Sequence, residues 1–533
     1  PDRAADPDRE RQPAVLSPLD RSHDTTAGAP CAASRRVANL RQLLAGVAEV
    51  AVPDVGITDL CMDSREATPG CLFMAVGGTR EHGLKYLDKV AAAGARVVLW
   101  EPVAGVAAPE ARDDLLTIAV PNLKRLIGRI ADRYFDQPSA RMQVAGVTGT
   151  NGKTTTAHLI AAAMGATGRP TTYAGTLGYG RIGELRPSAH TTPDCITVHR
   201  RLAERCEAGD RHVSMEVSSH ALDQGRVDAV RFQTAVFTNL TRDHLDYHRT
   251  LAAYADAKAR LFETAGLDHA VINAGDEFGN ELLRRLAGRM AVTAYHATPP
   301  GTSVPAGHQL FARRLERGST GLAIAFDGSW GPGVLKSRLI GDFNAENLLA
   351  ALAVLIGWEV PLDRAVRALE ASSAPPGRME VLPSTGPLVV IDYAHTPDAL
   401  AKAIKATRQH TAGRMICVFG CGGDRDAGKR PLMGALAEEL ADVVVLTDDN
   451  PRGEDPGQII AAIRSGMRFA DRVRVERQRA QAIAAALDLA GPTDAVLIAG
   501  KGHETGQVIG DATLPFNDRD VALQAMRARG VSS

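Results

Sequence analysis

The sequence predicts an α/β protein of three domains. In this arrangement a central, mainly parallel sheet of the P-loop ATPase type is flanked by a small N-terminal α/β domain and a C-terminal Rossmann-like domain. The length of 533 residues is too great for one hydrophobic core and suggests about three domains. Apolar strands alternate with helical stretches through the central region, which is the pattern of a parallel sheet covered by helices.

Breaks in composition set the predicted boundaries. Residues 1–35 are rich in Pro, Asp, Arg, Ser and Ala without periodicity, so we interpret them as a disordered leader. A polar break at residues 136–139 and the Pro375-Pro376-Gly377 break separate the rest. The predicted domains are 36–137 (N-terminal), 138–376 (central) and 377–533 (C-terminal).

The N-terminal domain has a predicted helix at 86–93 between strands at 71–76 and 95–100. The predicted central strands are 144–148, 213–217, 235–238 and 270–273. The predicted C-terminal strands are 388–391, 415–419, 443–446 and 495–499. A polar, glycine-containing segment follows each C-terminal strand, and ligands bind at the carboxyl ends of strands in open α/β sheets. The C-terminal domain is therefore expected to contribute a binding face.

Composition excludes several classes of protein. The chain has 45% hydrophobic and 23% charged residues, and its net charge of −1 provides no electrostatic basis for binding nucleic acid or an anionic membrane. No apolar run approaches the ~20 residues of a membrane helix, and the N-terminus lacks a secretory signal core. Seven scattered cysteines without a CxxC pair favour reduced thiols. We expect a cytoplasmic monomer without membrane insertion.

A glycine-containing loop follows the first central strand and leads into a helical stretch. A strand, a tight turn and a helix N-terminus form a phosphate cradle, because backbone N–H groups and the helix dipole converge there. Lys153 would reach the β- and γ-phosphates and the Thr154 hydroxyl would bind Mg²⁺. Val147 stands where the general P-loop pattern has its first glycine. The predicted nucleotide-binding residues of this loop are Gly149, Thr150, Asn151, Gly152, Lys153, Thr154 and Thr155. The alternative is a structural turn.

Two acidic segments follow other central strands. Glu216 ends a buried strand, where an unpaired carboxylate is costly and a metal ion would offset the cost. Residues 243–248 contain two histidines and two aspartates after the next strand. Together with the P-loop they predict a second Mg²⁺ site, although Mg²⁺ prefers oxygen ligands over histidine. The alternative reading of each segment is a helix cap with solvated charges.

These segments resemble the Mur ligases of bacterial cell-wall synthesis over residues about 37 to 530. The TGTNGKT loop, the Glu216 segment, the DHLDYH segment at 243–248 and the GDFNAEN segment at 341–347 match that family. Within the family the chain is similar to the enzymes that add the third amino acid. Four segments carry this narrower resemblance: 63–65, 190–193, 254–258 and 449–452.

The resemblance implies an ATP-dependent ligation in peptidoglycan precursor synthesis. The D-glutamate side-chain carboxylate of UDP-N-acetylmuramoyl-L-alanyl-D-glutamate would attack the γ-phosphate, giving an acyl phosphate and ADP. The amine of an incoming amino acid would then displace phosphate. Carboxylate and triphosphate repel each other, so cations must neutralise both before they meet.

The resemblance also implies two Mg²⁺ ions and a modified lysine. The metal-binding residues would be Thr154, Glu216, His244 and Lys258 as a carbamate, and the catalytic residues Lys153, Lys258, Glu216 and His244. Carbamylation requires a neutral amine, whereas lysine ordinarily has a pKa of about 10.4. Desolvation or nearby positive charge could lower it. Without the resemblance, Lys258 would be interpreted as an exposed helix lysine.

The family pattern assigns further residues to the two large substrates. Ser64 and the turn at 77–83 would contact the uridine diphosphate. The predicted residues for the muramoyl-dipeptide part are Thr191, Thr192, Ser218, Gln224 and Arg226. Arg378 and Asp392 resemble residues that contact the γ-phosphate and ribose of ATP, and Asn347 resembles one near the adenine. Their alternative roles are an interdomain salt bridge or a strand-end cap.

The segment Asp449-Asn450-Pro451-Arg452 marks family members that add meso-diaminopimelate, whereas lysine-adding relatives usually lack the arginine. Diaminopimelate carries a second carboxylate, so Arg452 would gain a charge-assisted pair that lysine cannot offer. Arg425 would take a carboxylate, and Gly500 and Glu504 would accept the ammonium group. The full predicted set for this amino acid is Arg425, Asp449, Asn450, Pro451, Arg452, Gly500 and Glu504.

Two rival functions remain open on the sequence. Folylpolyglutamate synthase shares the loop, the carbamate and the general plan, but lacks the uridine-binding domain and the 449–452 segment. A nucleotide-dependent regulatory or assembly protein would bind ATP without forming an amide. That second alternative does not explain Lys258 or the four polar strand ends.

Overall fold

The computed structural model describes residues 36–78, 81–298, 306–318 and 320–531. The leader at 1–35 and residues 79 and 80 of the 77–83 turn lie outside the described residues. The predicted α/β class is confirmed, because three separate sheets of mostly parallel strands are covered by helices. The predicted domain boundaries stay predictions.

The N-terminal sheet has four short parallel strands in the order β3-β4-β5-β6, and β1 and β2 form a separate antiparallel pair. Its strands are β1 Ala38–Asn39, β2 Gly56–Ile57, β3 Leu60–Cys61, β4 Leu72–Ala75, β5 Val97–Trp100 and β6 Leu116–Ala119. Its helices are α1 Leu40–Leu44, α2 Leu87–Ala92 and α3 Leu123–Tyr134. The predicted helix at 86–93 is shorter, because a 3₁₀ turn at Gly83–Tyr86 precedes α2.

The central sheet is the largest, with ten strands in the order β16-β15-β14-β13-β12-β11-β7-β10-β8-β9. Its strands are β7 Gln143–Thr148, β8 Thr171–Gly175, β9 Gly178–Gly180, β10 His212–Glu216, β11 Thr234–Phe237, β12 His269–Asn273, β13 Ala291–His296, β14 His308–Gly318, β15 Gly321–Gly328 and β16 Gly333–Ser337. Its helices are α4 Lys153–Ala166, α5 Cys195–Glu207, α6 Ser219–Asp223, α7 Leu245–His248, α8 Leu251–Ala259, α9 Glu277–Leu286, α10 Asp342–Gly357 and α11 Leu362–Glu370.

Helices α4 and α10 form the interior of the central unit. Both are apolar on nearly all sides and almost fully buried, as expected for helices enclosed by other elements. The seven strands from β8 to β14 in the sheet order are parallel, and β9, β15 and β16 are antiparallel additions at the edges. The sequence analysis did not predict these antiparallel strands.

The C-terminal sheet has the order β17-β18-β22-β19-β20-β21, and only β17 is antiparallel. The strands here are β17 Glu380–Leu382, β18 Leu388–Asp392, β19 Met415–Phe419, β20 Val443–Leu446, β21 Arg474–Val475 and β22 Ala495–Ala499, with a separate hairpin of β23 Gly506–Ile509 and β24 Ala512–Pro515. The helices are α12 Pro397–Arg408, α13 Lys429–Leu440, α14 Pro456–Arg464, α15 Arg479–Leu489 and α16 Asp518–Ala528.

The predicted strands are present in both larger sheets, with ends that differ by at most one residue. Further 3₁₀ turns lie at Pro138–Arg141, Arg260–Glu263 and Ala470–Arg472. The six cysteines of the described residues are all buried and free. None of the helices within the described ranges is long and apolar enough to cross a membrane.

Candidate active site

The loop between β7 and α4 requires glycine at two positions. Gly149 and Gly152 have φ angles of 147° and 84°, which L-residues with a side chain rarely adopt. A Cβ at Gly152 would lie 2.5 Å from Oδ1 of Asn347, and one at Gly149 would overlap the Thr238 hydroxyl. The loop therefore lies against its neighbours so closely that only glycine fits.

Residues after β11 hold this loop in place. The Thr150 N–H donates to the Asn239 carbonyl at 2.7 Å, and the Asn151 N–H donates to the Asn239 side chain at 3.0 Å. The Thr238 hydroxyl donates to the Asn151 carbonyl at 2.6 Å. The loop follows β7, whereas Thr238 and Asn239 follow β11, and these two strands are adjacent and parallel. The sheet itself therefore sets the position of the loop.

Glu216 is the central anion of the site, and its side chain is almost fully buried. Its Oε2 accepts from the Thr154 hydroxyl at 2.8 Å and from the Thr176 hydroxyl at 3.2 Å. Its Oε1 accepts from the Tyr173 hydroxyl at 2.5 Å and from the Thr176 N–H at 2.8 Å. All four donors are neutral, and Glu216 forms no ion pair within the described ranges.

Two lysines converge on one carbonyl oxygen of the loop. Lys153 and Lys258 each donate to the Gly149 carbonyl at 2.8 Å, and Lys153 also donates to the Thr150 carbonyl at 2.8 Å. The Lys258 side chain is only 1% exposed and its Nζ lies 4.2 Å from the Tyr254 ring centroid. The interpretation of Lys258 as an exposed helix lysine is therefore wrong, because this side chain of α8 is buried against the Gly149 carbonyl.

Burial lowers the pKa of Lys258 well below its ordinary value, and the charge of Lys153 lowers it further. Burial also lowers the pKa of Lys153, while Glu216 and Asp243 act in the opposite direction. A buried amine with a lowered pKa is neutral over a wider range of pH. That state is the one that carbon dioxide addition requires, and the carbamate itself stays a prediction.

The His244 side chain is more exposed than the buried side chains of Glu216 and Lys258. Its residue adopts a φ of 51°, its ring is about half exposed, and its Nε2 is 3.5 Å from Oδ2 of Asp243. The ring centroid is 4.9 Å from that of His220 and 6.1 Å from that of Tyr254. No hydrogen bond connects His244 to Thr154, Glu216 or Lys258 in the described part of the chain. No group of three or more His, Cys, Asp or Glu side chains there is arranged to hold a metal ion.

The residues predicted for the muramoyl-dipeptide form one connected group beside Glu216. The Thr192 hydroxyl donates to the Glu216 carbonyl at 2.9 Å and accepts from the Ser218 N–H at 3.3 Å. Arg226 donates to the Thr192 carbonyl at 3.0 Å and to the Gln224 side chain at 2.6 Å. The Thr191 hydroxyl lies 3.1 Å from that of Thr176, which joins this group to the Glu216 donors. Ser64 is also buried, but it lies after β3 in the N-terminal unit and none of its described contacts reaches this group.

The three outer residues predicted to contact ATP lie on two units. Asn347 accepts from the Thr156 hydroxyl at 3.1 Å and lies against Gly152. Arg378 packs its guanidinium 4.7 Å from the Tyr393 ring centroid, and its buried Nε has no hydrogen-bond partner among the described residues. Asp392 accepts from the Met379 and Ala394 N–H groups at 2.8 Å each. Burial raises the pKa of Asp392, while Arg378 acts in the opposite direction.

The C-terminal unit brings together most of the residues predicted for the amino acid. Asn450 donates to Oε2 of Glu504 at 2.9 Å, and Arg452 donates to the Gly423 carbonyl at 2.8 Å. Arg452 itself has a φ of 52°, so this segment turns sharply at the end of β20. Pro451, between Asn450 and Arg452, is buried in this turn.

The other members of the predicted set lie around this turn. A Cβ at Gly500 would lie 2.7 Å from the Asp449 carboxylate, so these two residues are in close contact. Arg425 is exposed. A Cβ at Gly422 would lie 3.8 Å from the Arg425 Cγ and 2.8 Å from the Arg452 guanidinium, so both arginines lie close to Gly422. The C-terminal set is therefore grouped in the fold, although no contact shows which member would touch a ligand.

Two family models match the chain: the Mur ligase middle domain over residues 147–355, and the Mur ligase glutamate ligase domain over residues 377–502. A protein of Alkalilimnicola ehrlichii named UDP-N-acetylmuramoyl-L-alanyl-D-glutamate–2,6-diaminopimelate ligase is 49% identical over 484 residues, covering 89% of this chain and 95% of the relative. The chain belongs to the Mur ligase family. The family resemblance drawn from the motifs is thereby confirmed.

Solved structures agree with this assignment. A structure of a ligase with the same name is 33% identical to this Mur ligase, with a TM-score of 0.70, and covers 93% of this chain and 100% of that one. Mycobacterium tuberculosis folylpolyglutamate synthase, solved with ADP and AMPPCP, is 22% identical with a TM-score of 0.54. It covers 71% of this chain and 92% of that one, and at this identity the likeness shows a shared fold alone.

Sequence reasoning missed several residues of this Mur ligase site. Tyr173 and Thr176 provide three of the four hydrogen bonds to Glu216. Asn239 holds the phosphate loop, and Lys501 contacts both Asn450 and Glu504. For Thr176, Asn239 and Lys501 the available signal was a position within two residues after a strand, whereas Tyr173 lies in the middle of β8. That signal was not decisive, because strand ends carry polar residues for structural reasons as well.

Proposed function

We propose that this protein is an ATP-dependent ligase that joins meso-diaminopimelate to the D-glutamate of UDP-N-acetylmuramoyl-L-alanyl-D-glutamate. The observation that carries the proposal is the grouping of Arg452, Asn450 and Glu504 in the segments that follow β20 and β22 of the C-terminal sheet. A guanidinium on the first of these segments and a carboxylate on the second suit the zwitterionic far end of diaminopimelate. The names of the related enzymes support the same substrates.

The first step is phosphoryl transfer. A carboxylate oxygen of the substrate's D-glutamate forms a bond to the γ-phosphorus of ATP. The bond from that phosphorus to the bridging oxygen breaks, which leaves ADP and an acyl phosphate. Lys153 exchanges its carbonyl contacts at Gly149 and Thr150 for phosphate oxygens, and the loop N–H groups stabilise the charge.

The residues present fit a magnesium ion. The Thr154 hydroxyl and the Glu216 carboxylate are 2.8 Å apart, and both are oxygen ligands of the kind that Mg²⁺ prefers. Thr154 and Glu216 would hold one ion, and Lys258 as a carbamate with His244 would support a second. Such ions neutralise phosphate charge and so let the two anionic substrates approach each other.

The second step forms the amide. The neutral amine of diaminopimelate attacks the acyl carbon, the carbon–oxygen bond to phosphate breaks, and the amine proton leaves with the phosphate. Arg226, which is held by Gln224 and by the Thr192 carbonyl, is placed to orient an anionic group of the muramoyl-dipeptide. Arg452 and Glu504 orient the amino acid from the C-terminal unit.

The test is ADP release and amide product measured with UDP-N-acetylmuramoyl-L-alanyl-D-glutamate, ATP and Mg²⁺. Three reactions are compared: meso-diaminopimelate, lysine and no amino acid. We expect turnover with diaminopimelate, much less with lysine, and an amide detected by mass. A parallel reaction replaces the nucleotide sugar with a folate and glutamate.

Turnover of the folate would contradict the proposal and support the folylpolyglutamate synthase alternative. ATP binding without any amide product would support a regulatory or assembly protein instead. Equal turnover of lysine and diaminopimelate would contradict the assignment of the amino acid alone.

A further inference from the structure

A fully buried lysine lies behind the residues that face the incoming amino acid. Lys501 is 0% exposed, and its Nζ donates to Oδ1 of Asn450 and to Oε2 of Glu504 at 2.9 Å each. It therefore cannot touch a ligand itself. It contacts two residues that belong to the predicted amino-acid site.

The three side chains form a closed network. Asn450 donates to the same Glu504 oxygen at 2.9 Å, and the Val508 N–H donates to Oδ1 of Asn450 at 2.9 Å. Oε2 of Glu504 thus accepts two hydrogen bonds, one from an ammonium group and one from an amide. Oε1 has no recorded partner among the described residues, and the side chain is 31% exposed. The network therefore holds one carboxylate oxygen of Glu504 and leaves the other available for a hydrogen bond.

A lysine in this place is costly unless it has a specific task. Burying an ammonium group carries a large desolvation cost that an ion pair only partly offsets, so such pairs contribute little to stability on balance. The backbone here does not depend on the lysine side chain, because the Glu504 N–H donates to the Lys501 carbonyl at 3.0 Å and Asn517 donates to the Glu504 carbonyl at 3.2 Å.

We propose that Lys501 is a positioning residue for amino-acid recognition: it orients Glu504, and the Asn450 amide, so that the free oxygen of Glu504 accepts the ammonium group of the incoming diamino acid. This inference rests on the proposed function, since it concerns the amino-acid site of the same reaction. Lys501 is not one of the groups that touch the substrate.

Positioning and simple electrostatics predict opposite results. If only charge mattered, removing the Lys501 cation would leave the negative charge of Glu504 without this neutralising partner. The attraction of Glu504 for an ammonium group would then become stronger. If position counts, the same change frees the carboxylate to rotate and weakens ammonium binding. The direction of the change in KM therefore separates the two explanations.

The experiment uses the full chain with Lys501→Met and Lys501→Gln. We expect Lys501→Met to raise KM for diaminopimelate about tenfold, the scale of losing a hydrogen bond to a charged group. KM for ATP and for the nucleotide sugar should stay within about twofold, because those sites lie elsewhere. Lys501→Gln retains one donor and should have a smaller effect. The matched control is Lys402→Met, which removes a surface lysine paired with Asp398 in the same unit.

A double-variant cycle with Glu504→Gln keeps the test decisive. Positioning predicts that adding Lys501→Met to Glu504→Gln raises KM for diaminopimelate by less than about twofold, since the positioned carboxylate is already absent. The same tenfold rise in that background would overturn the inference, as would an unchanged or lower KM in Lys501→Met alone. A uniform rise in all three KM values with a lower Tm would show a merely structural role and would also overturn it.

Wild-type turnover distinguishes this inference from the proposed function. Absence of amide formation by the wild-type chain with diaminopimelate contradicts the proposed function itself. Normal wild-type turnover with an unaffected Lys501→Met variant contradicts only the role of Lys501.

Discussion

The two binding regions at the strand ends of the central and C-terminal sheets treat charge differently. In the central region Glu216 accepts only from neutral donors, and Lys258 has no carboxylate partner among the described residues. In the C-terminal region buried cations have anionic partners: Arg479 pairs with Asp518 at 2.7 Å and Lys501 with Glu504 at 2.9 Å.

This difference in charge pairing indicates which kind of ligand each region suits. An unpaired buried carboxylate beside lysines with lowered pKa values suits charges that arrive with the substrate, namely phosphates and metal ions. Paired charges instead hold polar groups in fixed directions, which suits recognition of a small zwitterion.

Lys258 should give the largest effect. If it acts as a carbamate, Lys258→Ala and Lys258→Arg should both lower kcat for ADP release by on the order of 10²- to 10³-fold, the scale of removing one electrostatic stabiliser of the transition state. Arginine keeps a positive charge but cannot be carbamylated. Retained activity in Lys258→Arg would show that the site requires a positive charge at this position and not a carbamate, and the contrast with the C-terminal region would fail.

A spectroscopic measurement accompanies this variant. With ¹³C-bicarbonate, the wild-type chain should show a carbamate signal that Lys258→Arg lacks. Because burial lowers the pKa of Lys258, the amine is neutral well below its ordinary pKa, so the signal should persist near neutral pH and decline as falling pH protonates the amine. An equal signal in both proteins would assign the carbamate to another amine.

Arg452→Ala should give an intermediate effect, confined to the amino acid. We expect KM for diaminopimelate to rise about 10- to 100-fold, as for the loss of a charge-assisted hydrogen bond, while KM for lysine changes little. The matched control is Arg477→Ala, which removes a surface arginine paired with Asp448 at 3.2 Å. Unchanged preference for diaminopimelate in Arg452→Ala would mean that another residue selects the amino acid.

Thr176→Val should give the smallest effect. It removes one of four donors to Glu216 and keeps the backbone donor, so kcat should fall about two- to tenfold, the net scale of one hydrogen bond. Thr172→Val is the matched control. Thr172 lies on β8, the strand that Thr176 follows, and its hydroxyl donates to Asp210, away from the loop. A similar fall in kcat in both variants would indicate loss of strand stability rather than of the Glu216 contact.

Much of the fold was predictable because its signals are local. Apolar runs bounded by glycine and polar residues located four strands in each of the two larger sheets to within one residue, and the loop at 149–155 was recognisable from its own letters. The strands β14 to β16 were not predicted, because their pairing depends on contacts between segments that carry no strong local pattern.

The site was predictable only as separate pieces. Thr154 and Glu216 could be proposed from their segments, and the structure brings them within 2.8 Å. Tyr173 and Thr176 could not, since nothing local distinguishes a tyrosine in a buried strand that packs from one that donates to a carboxylate. Lys258 is the clearest case, because the sequence favours a solvent-exposed helix lysine, whereas the side chain is almost fully buried.

The sequence by itself determined the α/β class, the phosphate loop and the family, because each depends on residue types at fixed spacing along the chain. Only the tertiary structure decided which charges are paired. The lowered pKa of Lys258 arises from burial and from the charge of Lys153, which is distant in sequence. The contact of Lys501 with Glu504 depends on how the chain turns between these two residues. Electrostatic energy depends on distance and on exclusion of water, and neither is written in the order of the residues.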